Sequence, residues 1–551
     1  MAARRVLFFA LVGAVAAGLT ALLACVLGAG GWTVAEVLIL IAFLGTVPWT
    51  GLCAANALAG FAILMGVRNP ARAVFPAWRD GGPVTLSTAI AVTVRNEDMG
   101  AVLPPLRALL DGLDATGHGD AFALYVLSDT QLPDAVAAEE AAIVAFRAAD
   151  RDPGRIHYRR RTVNTGFKAG NVMAFLDSGA DGRALMLMLD ADSAMSAEAV
   201  LRLVRAMQAD PALGIVQQLI VGRPATSAFP RLFQFGMRAG MRSWATGQAW
   251  WQGDDGPYWG HNAIIRIAPF RAHCRLETLP DGSAILSHDQ VEAVRMRAAG
   301  WKVHALPEEA GSLEGNPPAM PEFLRRDLRW LEGNLQYRHL LMLPGIRPMG
   351  RWQLVQAILL FAGAPLYVAM LALAALNGAT GGAEGFPRGA ALALTLAWLA
   401  ALYAPKLLGY AEVLLKPTLA ARYGGRAQFA RGAAAEFAFT LLLDPVSAFN
   451  KALFMAGLPF GAKMGWAPQN RTDRGVGWGE AARMLWPHTL FGAAVFAGFA
   501  ATSWLAVLWA LPLAGGLLVA IPLCVASSAP AVSAWFRARR IAATPEELAP
   551  G

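Results

Sequence analysis

A chain of 551 residues in which 56% are hydrophobic and only 16% charged, with a mean hydropathy of +0.42, is too apolar for a soluble protein of its size. Most of its formal charge of +8 lies in segments flanking apolar runs, which reads as membrane topology and contact with anionic lipid, with no nucleic-acid partner expected. Three of its four cysteines fall in apolar stretches and Cys274 stands alone in a polar one, so neither a disulfide framework nor a zinc spacing is present.

In chain order, residues 6–28 and about 37–67 are the first runs long and apolar enough to cross a bilayer. A cleaved signal peptide is the competing reading of residues 1–28, since Arg4 and Arg5 precede the first run. That run is longer than a usual signal-peptide core, and a second follows at once, so residues 1–67 are expected to form a transmembrane hairpin. Residues 68–350 are of mixed polarity and long enough for one domain. Residues 351–551 are again apolar, with expected crossings at 354–376, 390–411, 489–511 and 513–534. The stretch 433–461 carries Glu436, Asp444 and Lys451 between basic flanks and is expected to be re-entrant or interfacial. Six crossings then place Arg4 and Arg5, Arg68 and Arg72, Arg347 and Arg351, and the basic groups at 422–431 and 537–540 on one side, the cytosolic one, together with the middle domain.

Within that domain the runs "ALYVLSD" (123–129), "ALMLMLDAD" (184–192) and "LGIVQQL" (213–219) predict buried strands ending in polar residues. Val200, Leu203, Val204 and Met207 have the spacing of a helix face. Strands alternating with helices predict an α/β domain with a mostly parallel sheet, whose ligands sit beyond the strand carboxyl ends.

Asp190 and Asp192 stand at such an end, and their hard oxygens suit Mg²⁺ or Mn²⁺ bridging two phosphates; helix capping is the plainer reading. Asp129 ends a second run, and Asn96, Glu97 and Asp98 end a third, polar groups that suit a base and ribose. In "NTGFKAGN", Lys168, Gly170 and Asn171 open a helix whose amino end suits phosphate or nucleobase, although the order of a P-loop is absent. Asp289 in "ILSHDQVEA" is either a general base for an acceptor hydroxyl or the cap of a box completed by Glu292, and His288 reads as a hydrogen-bonded spacer. Arg326, Arg329 and Trp330 share an amphipathic segment, where arginine forks suit a diphosphate and the indole suits a sugar face or a membrane interface. "WWQGDDGPYWGHNAIIR" gathers Trp250, Trp251, Tyr258 and Trp259 around Asp254, Asp255, His261 and Asn262, a mixture suited to carbohydrate.

Taken together, Asp129, Asp190-x-Asp192, Asp289 and Arg326-x-x-Arg329-Trp330 resemble the D, DxD, [TE]D, QxxRW series of processive family-2 inverting glycosyltransferases. "KAGN", "LDADSAM", "YWGHNAIIR", "ILSHDQVEA" and "RWLEGNLQY" resemble, more narrowly, the glucosyltransferase H family of osmoregulated periplasmic glucan synthesis, over about residues 85–345. The resemblance implies a cytosolic GT-A-like domain set in a helical membrane bundle of the bacterial inner membrane. It implies UDP-glucose as donor, a divalent metal, and a growing β-1,2-linked glucan as acceptor and product. Partners implied beyond these are membrane lipid and a periplasmic glucan-modifying protein or acyl carrier protein. By position, Asp129 would hold uridine, and Lys168, Asp190, Arg326 and Arg329 the rest of the nucleotide sugar; Asp192, with Asp190, would hold the metal. Asp289 would be the base, and Trp330, Trp259, His261 and Asn262 would meet the acceptor. Two departures stand out: Arg326 occupies the glutamine position of QxxRW, and the long N-terminal extension of enterobacterial relatives is missing, which leaves regulation through it an open question. A gating loop like that of cellulose synthases would correspond to residues 471–478, which also read as a basic interfacial loop.

Overall fold

The computed structural model describes residues 1–79, 81–382, 385, 387–465 and 470–548. Among the described residues there are ten strands: β1 (Thr88–Val94), β2 (Phe122–Ser128), β3 (Ile156–Arg160), β4 (Leu185–Asp190), β5 (Ala194–Met195), β6 (Leu213–Gln218), β7 (Val221–Gly222), β8 (Ala263–Arg266), β9 (Lys302–Leu306) and β10 (Ser312–Glu314). Seven form one sheet in the order β3-β2-β1-β4-β8-β6-β9, and β5-β10-β7 form a small second sheet. In the large sheet only β8 runs antiparallel to its neighbours. The runs at 123–129, 184–192 and 213–219 contain β2, β4 and β6.

Continuous apolar runs form these strands because both sheet faces are covered. On one face Ile90, Val92, Leu187 and Leu189 pack with Val200, Leu203, Val204 and Met207 of the Ala197–Ala209 helix. On the other, Ala89, Ala91, Met186 and Met188 pack with Val172, Phe175 and Leu176 of the Phe167–Asp177 helix. Each large apolar side chain so buried contributes about 1.5–3 kcal/mol, and Leu187→Ala would cost about 2–5 kcal/mol. The parallel register sets Val94 beside Ser128 and Thr93 beside Asp190. The polar residues that follow these strands therefore line one edge of the sheet.

This is a membrane protein. Among the described residues five helical segments are long and apolar enough to cross a bilayer: Ala2–Gly30, Val34–Gly66, Pro348–Ala379, Arg426–Phe460 and Trp478–Thr502. Two bent pairs, Arg388–Leu402 with Ala404–Leu415 (75°) and Trp504–Leu518 with Ala520–Ser528 (63°), raise the number to seven if each is one span, against the six expected. The stretch 433–461, expected to be re-entrant or interfacial, instead falls within the unbroken Arg426–Gly457 helix and the short turn after it. Glu436 and Asp444 find partners inside the bundle, where Lys406 and Tyr410 donate to Glu436 and Tyr403 donates to Asp444 at 2.9 Å, while Lys451 lies 2.8 Å from Asp327 of the Met320–Leu335 helix.

The Ala228–Gln252 helix joins the sheet domain to the bundle. Gly60 and Gly247 permit the contact, since a β-carbon on either would collide with the carbonyl of Ser243 or Asn56 respectively. Phe8 of the first helix stacks on Trp251 at 4.2 Å, and the Trp251 indole N–H donates to Asn56 Oδ1 at 2.9 Å.

Candidate active site

The end of β4 delivers Asp190 to the sheet edge, where the Lys168 ammonium donates to its carboxylate and also, at 2.8 Å, to the Gly260 carbonyl. Burial opposes ionisation of Asp190, but Lys168, His261 and Arg471 together hold its carboxyl well below the ordinary carboxylate range. Gly260 has φ +85°, and a β-carbon there would lie 3.4 Å from Asp289 Cβ and 3.7 Å from both Asp289 Oδ2 and Lys168 Nζ. One bare glycine thus separates Asp289 from the Lys168–Asp190 pair.

Asp289 is the first residue of the Asp289–Ala298 helix, with His288 before it as an N-cap that makes no side-chain cap bond. Glu292 does not complete a capping box, because its carboxylate lies 2.9 Å from His288 Nδ1. Burial lowers the His288 pKa, but Glu292 outweighs it and the net direction is upward. Asp289 is left facing the cleft.

Asp129 follows β2 and is 5% exposed, its carboxylate gripped by both arms of Arg161 at 2.7 and 2.8 Å. The neighbouring Asn171 is buried and donates to the Leu127 carbonyl at 3.1 Å, tying the start of the Phe167–Asp177 helix to the sheet. Of the polar trio after β1, Asp98 caps the next helix through the Gly100 N–H at 2.9 Å, and only Glu97 turns to the cleft.

A second layer of charge surrounds Asp192. The Arg471 guanidinium lies 3.1 Å from Asp192 and 3.6 Å from Glu97. Burial raises the Glu97 pKa, with Arg471 opposing and Asp192 and Asp190 adding to the rise. Glu314 ends β10 and lies 3.4 Å from His261 Nε2; burial raises its pKa against the pull of His261 and Arg326. Arg326 is buried with its charge centre 4.6 Å above the Trp330 ring, and its Nε has no partner among the described residues. Arg329 is held down to about 10 by burial and by the charges of Arg326 and Arg471. Trp330 itself is 49% exposed.

The aromatic segment divides. Trp259 and His261 stand at the cleft, their turn fixed by Gln217, which accepts from the Trp259 N–H at 2.8 Å and donates to the His261 carbonyl at 3.0 Å. Asn262 is fully buried at φ +49°, and its amide donates to Ser312 Oγ and the Leu313 carbonyl at 3.0 and 3.2 Å, so it braces β10 and presents no side chain to the cleft. Trp250 and Trp251 pack against the first membrane helix, Asp254 lies 2.7 Å from His304, and Asp255 binds Arg5 and Arg297. None of these four joins the cleft, contrary to the carbohydrate reading of the whole segment. Gln217, Glu314 and Arg161 escaped sequence reasoning, although the polar end of "LGIVQQL" was a signal for the first.

Residues 90–274 match the model of glycosyl transferase family 2, and residues 185–409 that of glycosyl transferase family group 2. A glucans biosynthesis glucosyltransferase H from Rhodopseudomonas palustris is 35% identical over 547 residues, covering 95% of this chain and 76% of that protein. The chain belongs to the glucosyltransferase H family. Relatives of the same name from Caulobacter vibrioides and Vibrio cholerae are 33% and 31% identical, covering 90% and 94% of this chain and 78% and 74% of theirs. Like those glucosyltransferases, the protein is an enzyme that transfers glucosyl units to a glucan. Among solved structures, a mannosyltransferase from Pyrobaculum calidifontis in complex with GDP-mannose and Mn²⁺ is 17% identical with a TM-score of 0.40, covering 66% of this chain and 99% of that one.

Proposed function

We propose that this member of the glucosyltransferase H family uses UDP-glucose, inverts the anomeric centre, and extends a β-1,2-linked glucan from the cytosolic face of the bacterial inner membrane. The observation that carries the reading is the placement of Asp289 across Gly260 from the Lys168–Asp190 pair, which sets a second carboxylate beside a cation-rich strand edge. Asp289 takes the proton of the acceptor hydroxyl as that oxygen attacks the anomeric carbon, and the bond to the diphosphate breaks on the opposite side. Leaving-group charge is met by Arg326 and Arg329, with Lys168 alongside; such stabilisation is the larger contribution. Asp129, held rigid by Arg161, contacts the uridine. Trp330, Trp259 and His261 surround the acceptor, and Asn262 supports them from below.

Among the described residues no three His, Cys, Asp or Glu side chains group into a metal cage. Asp192 and Asp190 do fit the pattern of Mg²⁺ or Mn²⁺ held by one or two carboxylates, with substrate phosphates completing the shell. When bound, the cation supplies positive charge to the diphosphate. The contact of Arg471 with Asp192 supports reading residues 471–478 as a loop that closes over the donor. A buried polar seam of Asp327, Ser447 and Lys451, three residues from Trp330, supports passage of product into the bundle. A periplasmic glucan-modifying protein or an acyl carrier protein is the further partner this reading would accommodate.

Purified protein in detergent is given radiolabelled UDP-glucose and Mg²⁺, and the linkage of the polymer is determined. A β-1,2-glucan is expected; a β-1,4 polymer, a glycolipid or the absence of UDP release with any acceptor would overturn the reading.

A further inference from the structure

Away from the cleft, where the first membrane helix meets the catalytic domain, lies a cavity of about 520 Å³. Arg5, Arg297, Arg347 and Asp255 line it together with Phe9 and Trp352. Arg5 and Arg297 both bind the Asp255 carboxylate, at 2.6 and 2.9 Å, so one negative charge answers three guanidinium groups. Arg347 makes no ion pair or side-chain hydrogen bond among the described residues and immediately precedes the 32-residue Pro348–Ala379 helix, whose amino end has no side-chain cap. The first-turn N–H groups and the helix dipole there favour an anion. Trp352, one turn into that helix, also lines the cavity. These donors from three separate elements converge on one space, and glucosyl transfer uses none of them.

The surroundings decide what sort of anion fits. Two helices long and apolar enough to span a bilayer, Ala2–Gly30 and Pro348–Ala379, both start at this cavity, so it opens at the level where their apolar runs begin. Phe9 and Trp352 give its wall an apolar side, and Phe9 packs edge-on to Trp352 at 5.1 Å. A soluble phosphate would satisfy the arginines and leave that wall unused. A phospholipid satisfies both, with its phosphate among the arginines and the head of an acyl chain along the aromatic side. The excess of positive charge further favours a lipid of net negative charge over a zwitterion.

We infer that this cavity is a binding site for the headgroup of an anionic phospholipid, a site separate from the donor and acceptor cleft. Arg297 belongs to the same helix that begins with Asp289, so the site is one short helix away from the cleft.

The test uses the full chain in detergent with an equimolar mixture of phosphatidylglycerol and phosphatidylcholine, and counts retained lipid by native mass spectrometry. Wild-type protein is expected to retain phosphatidylglycerol in preference. Arg347→Gln, a change at an exposed side chain, should cut that preference by at least about threefold, in keeping with the contribution of one basic residue near a lipid surface. Arg351→Gln, an exposed arginine outside the cavity, should leave it unchanged. Equal retention of the two lipids by wild type, or an equal loss in both variants, would overturn the site. Displacement of phosphatidylglycerol by millimolar inorganic phosphate would overturn the lipid as its occupant. None of these readouts depends on glucosyl transfer, so the inference stands or falls apart from the choice of donor and linkage.

Discussion

The guanidinium of Arg471 lies 3.1 Å from the carboxylate of Asp192, although 278 residues lie between them and the intervening chain includes the Pro348–Ala379 and Arg426–Phe460 spans. Arg471 thus occupies the acid proposed to meet the metal. Its side chain is 34% exposed, so water screens the pair and its strength is about 1 kcal/mol at most. Arg471→Gln should lower the Mg²⁺ concentration for half-maximal UDP release by up to about fivefold, because an internal competitor has gone. A metal titration of both proteins at saturating donor checks this, and an unchanged midpoint would show that the pair does not compete.

Replacing Asp289 with Asn keeps the shape of the cleft and removes the proton acceptor. Turnover should fall at least about 10²-fold while UDP affinity, measured calorimetrically, is retained. Normal turnover would remove Asp289 from the base role.

Lys168 is the nearest cation to Asp190, whose carboxyl it helps to hold below the ordinary carboxylate range. In the native cleft Asp190 therefore stays ionised through the mildly acidic region and does not set the acid limb of the pH–rate profile. Without Lys168, only His261 and Arg471 remain to oppose burial, so the Asp190 pKa rises from its native position and the acid limb of kcat/KM in Lys168→Met should move to higher pH. Coincident acid limbs in the two proteins would count against this electrostatic role.

Trp330 is half exposed with Arg326 stacked on its inner side, which leaves the outer ring free for a sugar. Trp330→Ala should raise KM for an oligoglucan acceptor roughly tenfold, the value of one aromatic contact of about 1.4 kcal/mol. The thermal midpoint should hardly change. A KM rise confined to the donor would place Trp330 elsewhere.

Asp129, Asp190 and Asp289 were legible in the sequence because each stands where an apolar run stops or a helix starts, and the parallel sheet aligns such ends by register. Glu314 was not, since β10 is three residues long and carries no periodicity. Trp250 and Trp259 look alike in a string, yet the first ends a helix facing the membrane hairpin and the second follows a turn into the cleft. The unbroken helix over most of 433–461, where a re-entrant or interfacial stretch was expected, has a simple physical origin: Glu436 and Asp444 are met by Lys406, Tyr410 and Tyr403 of a neighbouring helical segment, and Lys451 by Asp327.

Each acid along the strand edge already has a cation of its own: Arg161 for Asp129, Lys168 for Asp190, Arg471 for Asp192. A divalent cation reaching Asp192 would displace Arg471, and the guanidinium so released would be available to a diphosphate beside Arg326 and Arg329. The cleft would then behave as an ion exchanger in which donor and metal enter as a pair, each making room for the other.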